Sequence, residues 1–154
     1  MKRRIFLKKS IMTGIVSIAA SSALLIPGRL LAIWNKEAFR AKDMKSANAA
    51  LGDTKAAIET DKIFIDANDV AENAAVVPIK ISTDIENAES IRLYVEKNPI
   101  PLIATFQLTQ YTDNFVFIRI RMSETSDVIA MVKAGDDLYM TKKKIKVTAG
   151  GCGG

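Results

Sequence analysis

Five residues at the C-terminal end of the sequence, Gly150, Gly151, Cys152, Gly153 and Gly154, set one thiol among backbone that carries no side chains. Cys152 is the only cysteine, and histidine is absent. A Cys-His nucleophile and a His-ligated metal are therefore excluded within this chain. Glycine explores backbone conformations closed to other residues and offers nothing to pack, so residues 149–154 are expected to form a flexible arm. The strand before it is expected to stop near Thr148. Four further residues carry the sulfur out by at most ~13 to 14 Å, enough to enter a narrow channel in another protein. A thiol with no base beside it titrates near ~8.5, which leaves only a few per cent thiolate at neutral pH. Lys142, Lys143, Lys144 and Lys146 precede the arm, but alternation along a strand turns at least half of them away. Activation must then come from a partner's site. The thiol reads as a handle that holds a substrate covalently.

The compartment sharpens this reading. Residues 1–32 contain Lys2, Arg3, Arg4, Lys8, Lys9 and Arg29 and no acidic residue. A charged start, a weakly apolar stretch from Ile11 to Ile26, a Pro27-Gly28 break and small residues around Ala32 have the order of an export signal. The stretch is shorter than the ~20 residues of a membrane span and is diluted by Gly14, Ser17, Ser21 and Ser22. Arg3-Arg4-Ile5-Phe6-Leu7-Lys8 resembles the twin-arginine motif, with Lys2 where Ser or Thr is usual. Removal after Ala32 is expected, although Leu30 sits where a small residue is preferred. The formal charge of +5 belongs largely to this segment. Without it the 22 basic residues fall to sixteen, against 17 acidic ones, a net charge of −1. Neither nucleic acid nor a stable membrane association is therefore expected of the mature chain. An exported protein normally pairs its cysteines, and a single one implies an intermolecular bridge or a reactive thiol. A glycine-rich end can be a loose end with an incidental cysteine, yet an unneeded thiol in an oxidising compartment is a liability. Prenylation needs three residues after the cysteine, and two are present. A lipoprotein anchor needs a cysteine directly behind the signal, and none is there.

The elements that position the arm follow from periodicity. Residues 33–52 are expected to be an N-terminal helix, rich in Ala, Lys and Glu from Trp34 to Leu51 and stopped at Gly52. From residue 62 the apolar period becomes two. Ile63 and Ile65 open one strand; Val77, Ile79 and Ile81 alternate with Pro78, Lys80 and Ser82; Ile91, Leu93 and Val95 alternate with Arg92, Tyr94 and Glu96. Further strands are expected over 102–108, 115–122, 128–133 and 138–147, with turns at Asp113-Asn114, Ser123 to Ser126 and Gly135-Asp136-Asp137. Seven short strands spaced this way predict an all-β, immunoglobulin-like antiparallel β-sandwich over residues 53–148.

Several segments together resemble SoxY, the sulfur-carrying family of the thiosulfate-oxidising Sox system. They are Ala71-Glu72-Asn73 with Val77-Pro78, Val95-Glu96-Lys97-Asn98-Pro99 with Pro101-Leu102, and Arg119-Ile120-Arg121-Met122 leading to Thr125-Ser126. Ile145-Lys146-Val147-Thr148 and the terminal Gly-Gly-Cys-Gly-Gly complete the resemblance; Ala74 departs from it, where glycine is expected. It implies a periplasmic carrier with no cofactor of its own, paired with a SoxZ-like subunit in a heterodimer. A SoxAX-like cytochrome would join thiosulfate oxidatively to Cys152. A SoxB-like hydrolase would release sulfate, and the sulfur left behind would be oxidised by a sulfane dehydrogenase or passed to another acceptor. Haem and metals would belong to those partners, and exposed apolar strand residues would form the SoxZ-like interface.

Three other functions are weighed against a carrier. A one-cysteine peroxidase would need a depressed thiol pKa and a supporting basic environment. An exported binding or scaffold module would use Cys152 only for an intermolecular disulfide. A terminal thiocarboxylate on Gly154 would need ATP outside the cytoplasm and would leave the cysteine superfluous.

Overall fold

The computed structural model describes residues 35 to 148. The expected export signal, Trp34, Cys152 and the glycines around it lie outside the described residues. Among the described residues nine strands form two sheets. They are β1 (Ile58–Glu59), β2 (Ile63–Asp66), β3 (Val70–Ala71), β4 (Val77–Thr83), β5 (Ser90–Val95), β6 (Leu102–Gln107), β7 (Phe115–Ile120), β8 (Ser126–Ala134) and β9 (Asp137–Val147). The larger sheet runs β1-β9-β8-β5-β6, with β3 also on β9; the smaller runs β2-β4-β7. The seven expected strands are all present, and the chain forms the expected antiparallel β-sandwich.

Its core is the space between the two sheets. Ile63, Val77, Ile79, Ile81 and Ile120 from the smaller sheet meet Ile91, Leu93, Val95, Val128, Ala130, Val132 and Ile145 from the larger. Each set is one parity of an alternating strand, which is why the period of two survived into the fold. Two strands were not expected. β1 and β3 are two residues long and pair in parallel with opposite ends of β9, Ile58 with Tyr139 and Val70 with Lys146. Such short bridges have no alternation to read, and they cover the free edge of the longest strand.

The N-terminal helix is a correction. In place of one helix over 33–52 there is a 3-10 turn, Ala38–Arg40, and a separate seven-residue helix α1, Met44–Ala50. Asp43 caps α1, its carboxylate accepting from the Ser46 amide and hydroxyl, both at 2.8 Å. Ala41 is extended before it, so the segment turns about two axes instead of one. Gly52 does end the segment, at φ 89, where a side chain would be strained.

Residues 35–57 pack on the outer face of the larger sheet. Ala38 and Ala47 meet Tyr94, Leu102, Ile129, Met131 and Leu138 in a second apolar cluster. β5 is consequently buried on both faces, and Arg92, on the parity expected to face solvent, is 4% exposed. The Asp53 carboxylate bridges the Arg92 guanidinium and the Lys133 ammonium. Asn48 Oδ1 accepts from Arg92 at 3.1 Å and from the Tyr94 hydroxyl at 2.6 Å. Burial pushes the Tyr94 hydroxyl up to about 12. Burial also works to raise the Asp53 carboxyl, but hydrogen bonds and charge from Lys133 and Arg92 overrule it and hold the group below its ordinary value.

Candidate functional site

The base of the cysteine arm is the C-terminal end of β9. β9 pairs with β8 from Asp137 to Ile145, and its last residues continue beyond that pairing. Each of the last three described amides is nonetheless bonded, two of them to the segment around β3 and one to Thr125. Lys146 N–H donates to the Asp69 carbonyl at 2.8 Å, Val147 N–H to Thr125 Oγ1 at 2.9 Å, and Thr148 N–H to the Ala71 carbonyl at 3.2 Å. Lys143 reinforces the β3 side, its ammonium 3.0 Å from the Asp69 carboxylate and 2.6 Å from the Ala67 carbonyl. Ile145 is fully buried beneath them. The chain is therefore held to the fold as far as Thr148, four residues before Cys152.

Beside this base lies a groove of about 500 Å³ lined by Glu96, Lys97, residues 123–127, Lys144, Val147 and Thr148. Its walls are tied together. Lys97 N–H donates to Ser126 Oγ at 3.0 Å, Glu96 N–H to the Asp127 carbonyl at 3.0 Å, and Ser123 N–H to Asn98 Oδ1 at 2.9 Å. Asn98 in turn donates to the Arg121 carbonyl at 2.9 Å. Lys97 and Glu124 form an exposed ion pair at 3.6 Å. Glu96, Glu124 and Asp127 line the groove together with Lys97 and Lys144, a lining of mixed sign. Among the described residues no group of three or more His, Cys, Asp or Glu could hold a metal ion.

The lysines before the arm divide as alternation requires. Lys142, Lys144 and Lys146 are exposed on one side of β9, while Lys143 is half-buried on the other. Lys144 borders the groove, and Lys143 is committed to Asp69.

The segments scattered through the sequence converge here. Ala71, Asn98, Arg121, Thr125, Ser126, Val147 and Thr148 come from five separate stretches, and all bond within this one end of the sandwich. Ala74 belongs to the same end: its carbonyl accepts from the Met122 amide at 2.8 Å. Among the described non-glycine residues only Asn87 has a positive φ, so alanine at 74 is unstrained.

The family model described as sulfur oxidation protein SoxY matches residues 47–152. The chain belongs to the SoxY family. The match extends through Cys152, and membership places the chain in sulfur oxidation. The solved structure of the sulfur carrier protein SoxY from Chlorobium limicola f thiosulfatophilum aligns with a TM-score of 0.58 and 33% identity. That alignment covers 65% of this chain and 92% of the Chlorobium SoxY chain. A chain from a structure of toxic shock syndrome toxin-1 in T cell activation aligns at a TM-score of 0.41 and 11% identity, over 56% of this chain and 99% of its own, and carries no functional weight. Among curated proteins none matches. Sequence reasoning did not foresee Asp69, Lys143 or the groove as parts of the SoxY arm base. No local pattern signals them, because each acts through a contact between distant strands.

Proposed function

We propose that the chain is the covalent carrier of sulfur-oxidation intermediates, holding thiosulfate-derived groups on Cys152 and presenting them to periplasmic Sox enzymes. The observation that carries this reading is the clamp at Lys146, Val147 and Thr148, followed by four residues to the sole thiol of a SoxY-family chain. A carrier must offer one sulfur to several rigid active sites. Fixing the root and leaving glycine around the sulfur supplies both a defined origin and adaptability. An enzyme's nucleophile is instead held rigid at its reacting centre.

Loading joins the Cys152 thiolate to the outer sulfur of thiosulfate, giving Cys–S–S–sulfonate and two electrons, which a SoxAX-like cytochrome accepts. Water then attacks the sulfonate at a SoxB-like hydrolase. Sulfate and two protons leave, and Cys–S–S⁻ remains for a sulfane dehydrogenase. The chain itself supplies the thiol, the arm and the docking fold. It works as a heterodimer with a SoxZ-like subunit, in the periplasm, after twin-arginine export and removal of residues 1–32.

The test is the intact mass of protein isolated from its host without reductant, with peptide mapping. Reductant-labile increments equal to a thiosulfate-derived group and to single sulfur atoms are expected on Cys152, and Cys152→Ser should lose them all along with thiosulfate oxidation. Increments on the terminal carboxylate, or a permanent disulfide at Cys152, would overturn the reading.

A further inference from the structure

The last three described residues of β9 and its cap are held by a different kind of contact from the rest of the strand. From Asp137 to Ile145 every residue has a partner on β8, and Ile145, the last of them, is fully buried. Lys146, Val147 and Thr148 lie past the end of β8. They rest on β3, a strand of two residues, and on one threonine side chain. Lys146 and Thr148 are exposed, and Val147, packed against the core, is half-buried. The Thr148 hydroxyl reaches the Ala71 carbonyl only at 3.5 Å.

The seat that these residues occupy is built without them. Ala71 is buried in the core between the sheets, and the Ala74 carbonyl just beyond it accepts from the Met122 amide at 2.8 Å. Lys143, inside the β8-paired part of β9, fixes the Asp69 carboxylate and the Ala67 carbonyl. On the other side Ser126, next to Thr125, is buried, and its hydroxyl accepts from the Lys97 amide. None of these contacts is lost when residues 146–148 lift away. The seat therefore stays formed while it is empty, and local opening of the three residues is separate from opening of the sandwich.

We infer that residues 146–148 are a latch that gives the cysteine arm two lengths. Closed, the origin is Thr148, and four residues carry the sulfur out by at most ~13 to 14 Å. Open, the origin is Ile145, and seven residues carry it out by at most ~23 to 25 Å. Three hydrogen bonds of ordinary net strength leave the open form at roughly one molecule in 10² to 10³. That is rare enough to keep one origin at rest and common enough for a deep site to select. An enzyme whose reacting centre lies within the shorter reach takes the closed form, and one with a deeper centre draws on the open form. Use of the second length rests on the carrier reading above; the latch itself rests on the bonds.

Hydrogen exchange of the mature chain reads the latch without any enzyme. The amides of Lys146, Val147 and Thr148, although bonded to three different acceptors, should share one opening. Their protection should lie at least about 100-fold below that of the amides in the β8–β9 pairing. Val147→Ala keeps all three bonds and trims only the packing, so it should quicken exchange at all three by the same factor, about 5-fold, and leave β8–β9 unchanged. Three unrelated responses, or protection equal to that of β8–β9, would overturn the latch. The second length is read by loading with the SoxAX-like cytochrome of the same host. Deleting Ala149 and Gly150 shortens the arm by ~7 Å and should lower kcat/KM at least about 10-fold. Adding Val147→Ala to the shortened chain should recover about 5-fold of the loss, because a latch that opens more often lends its residues to the arm. No loss on shortening, or no recovery, would overturn the second length. A full-length chain that gains no thiosulfate-derived mass on Cys152 would instead defeat the carrier reading, and the exchange result would stand apart from it.

Discussion

Replacing Asp53 by Asn tests whether the buried charge network holds the N-terminal segment on the sandwich. The substitution keeps the shape and removes the charge that Arg92 and Lys133 share. The two cations do not lose equally. Lys133 is 27% exposed and can turn its ammonium to water; the Arg92 side chain is 4% exposed beneath α1 and keeps neutral neighbours such as Asn48 but, among the described residues, no second carboxylate partner. Leaving one buried charge unpaired costs about 3–5 kcal/mol. With Lys133 relieved and Asn48 retained, the lower end, about 3 kcal/mol, is expected. Urea unfolding reads it directly. At a slope of roughly 1.5 kcal/mol per molar, the midpoint should fall by about 2 M with the slope unchanged. A fall worth less than about 1 kcal/mol would refute the argument, because Asp53 would then not be compensating Arg92.

Acid should act through the same carboxyl. Its folded pKa lies below the ordinary 3.8, so its stabilisation is complete above that value and is lost as pH falls below 3.8 through the folded value. The urea midpoint of the unmodified chain should approach that of Asp53→Asn as pH drops through this window, and parallel curves would count against it. At the arm base, Thr125→Val removes the only acceptor described for the Val147 amide while keeping side-chain shape. Hydrogen exchange at Val147 should quicken by about 5- to 10-fold, the equivalent of about 1 kcal/mol, with the rest of the fold unchanged. No change at Val147 would show that the arm's root does not depend on this bond.

Much of the sandwich was legible because alternation is a local property. The inward parity of Ile79, Ile91, Val128 and Ile145 is the same in the sequence and in the core. Arg92 shows where that reasoning stops. Its alternation with Ile91 and Leu93 is that of a wet face, and only the segment 35–57 folding over β5 makes it a buried cation needing Asp53. The helix expected over 33–52 divided for a related reason: composition favours helix throughout, but Ala41 is extended and Asp43 starts a new axis. β1 and β3 had no local signal at all.

What this sequence determined unaided is its chemistry. One cysteine, no histidine and a run of glycines are facts about atoms available, and they hold whatever the fold. Tertiary structure alone decided where that chemistry is rooted. Ala71, Thr125 and Thr148 are brought together by strand pairing across up to 77 positions of sequence, and Arg92 is buried only because residues 35–57 fold over its strand. Short-range pattern encodes which way a side chain points from its own strand. Which surface another strand, helix or subunit will cover depends on contacts between residues far apart in the chain, and no local pattern contains them.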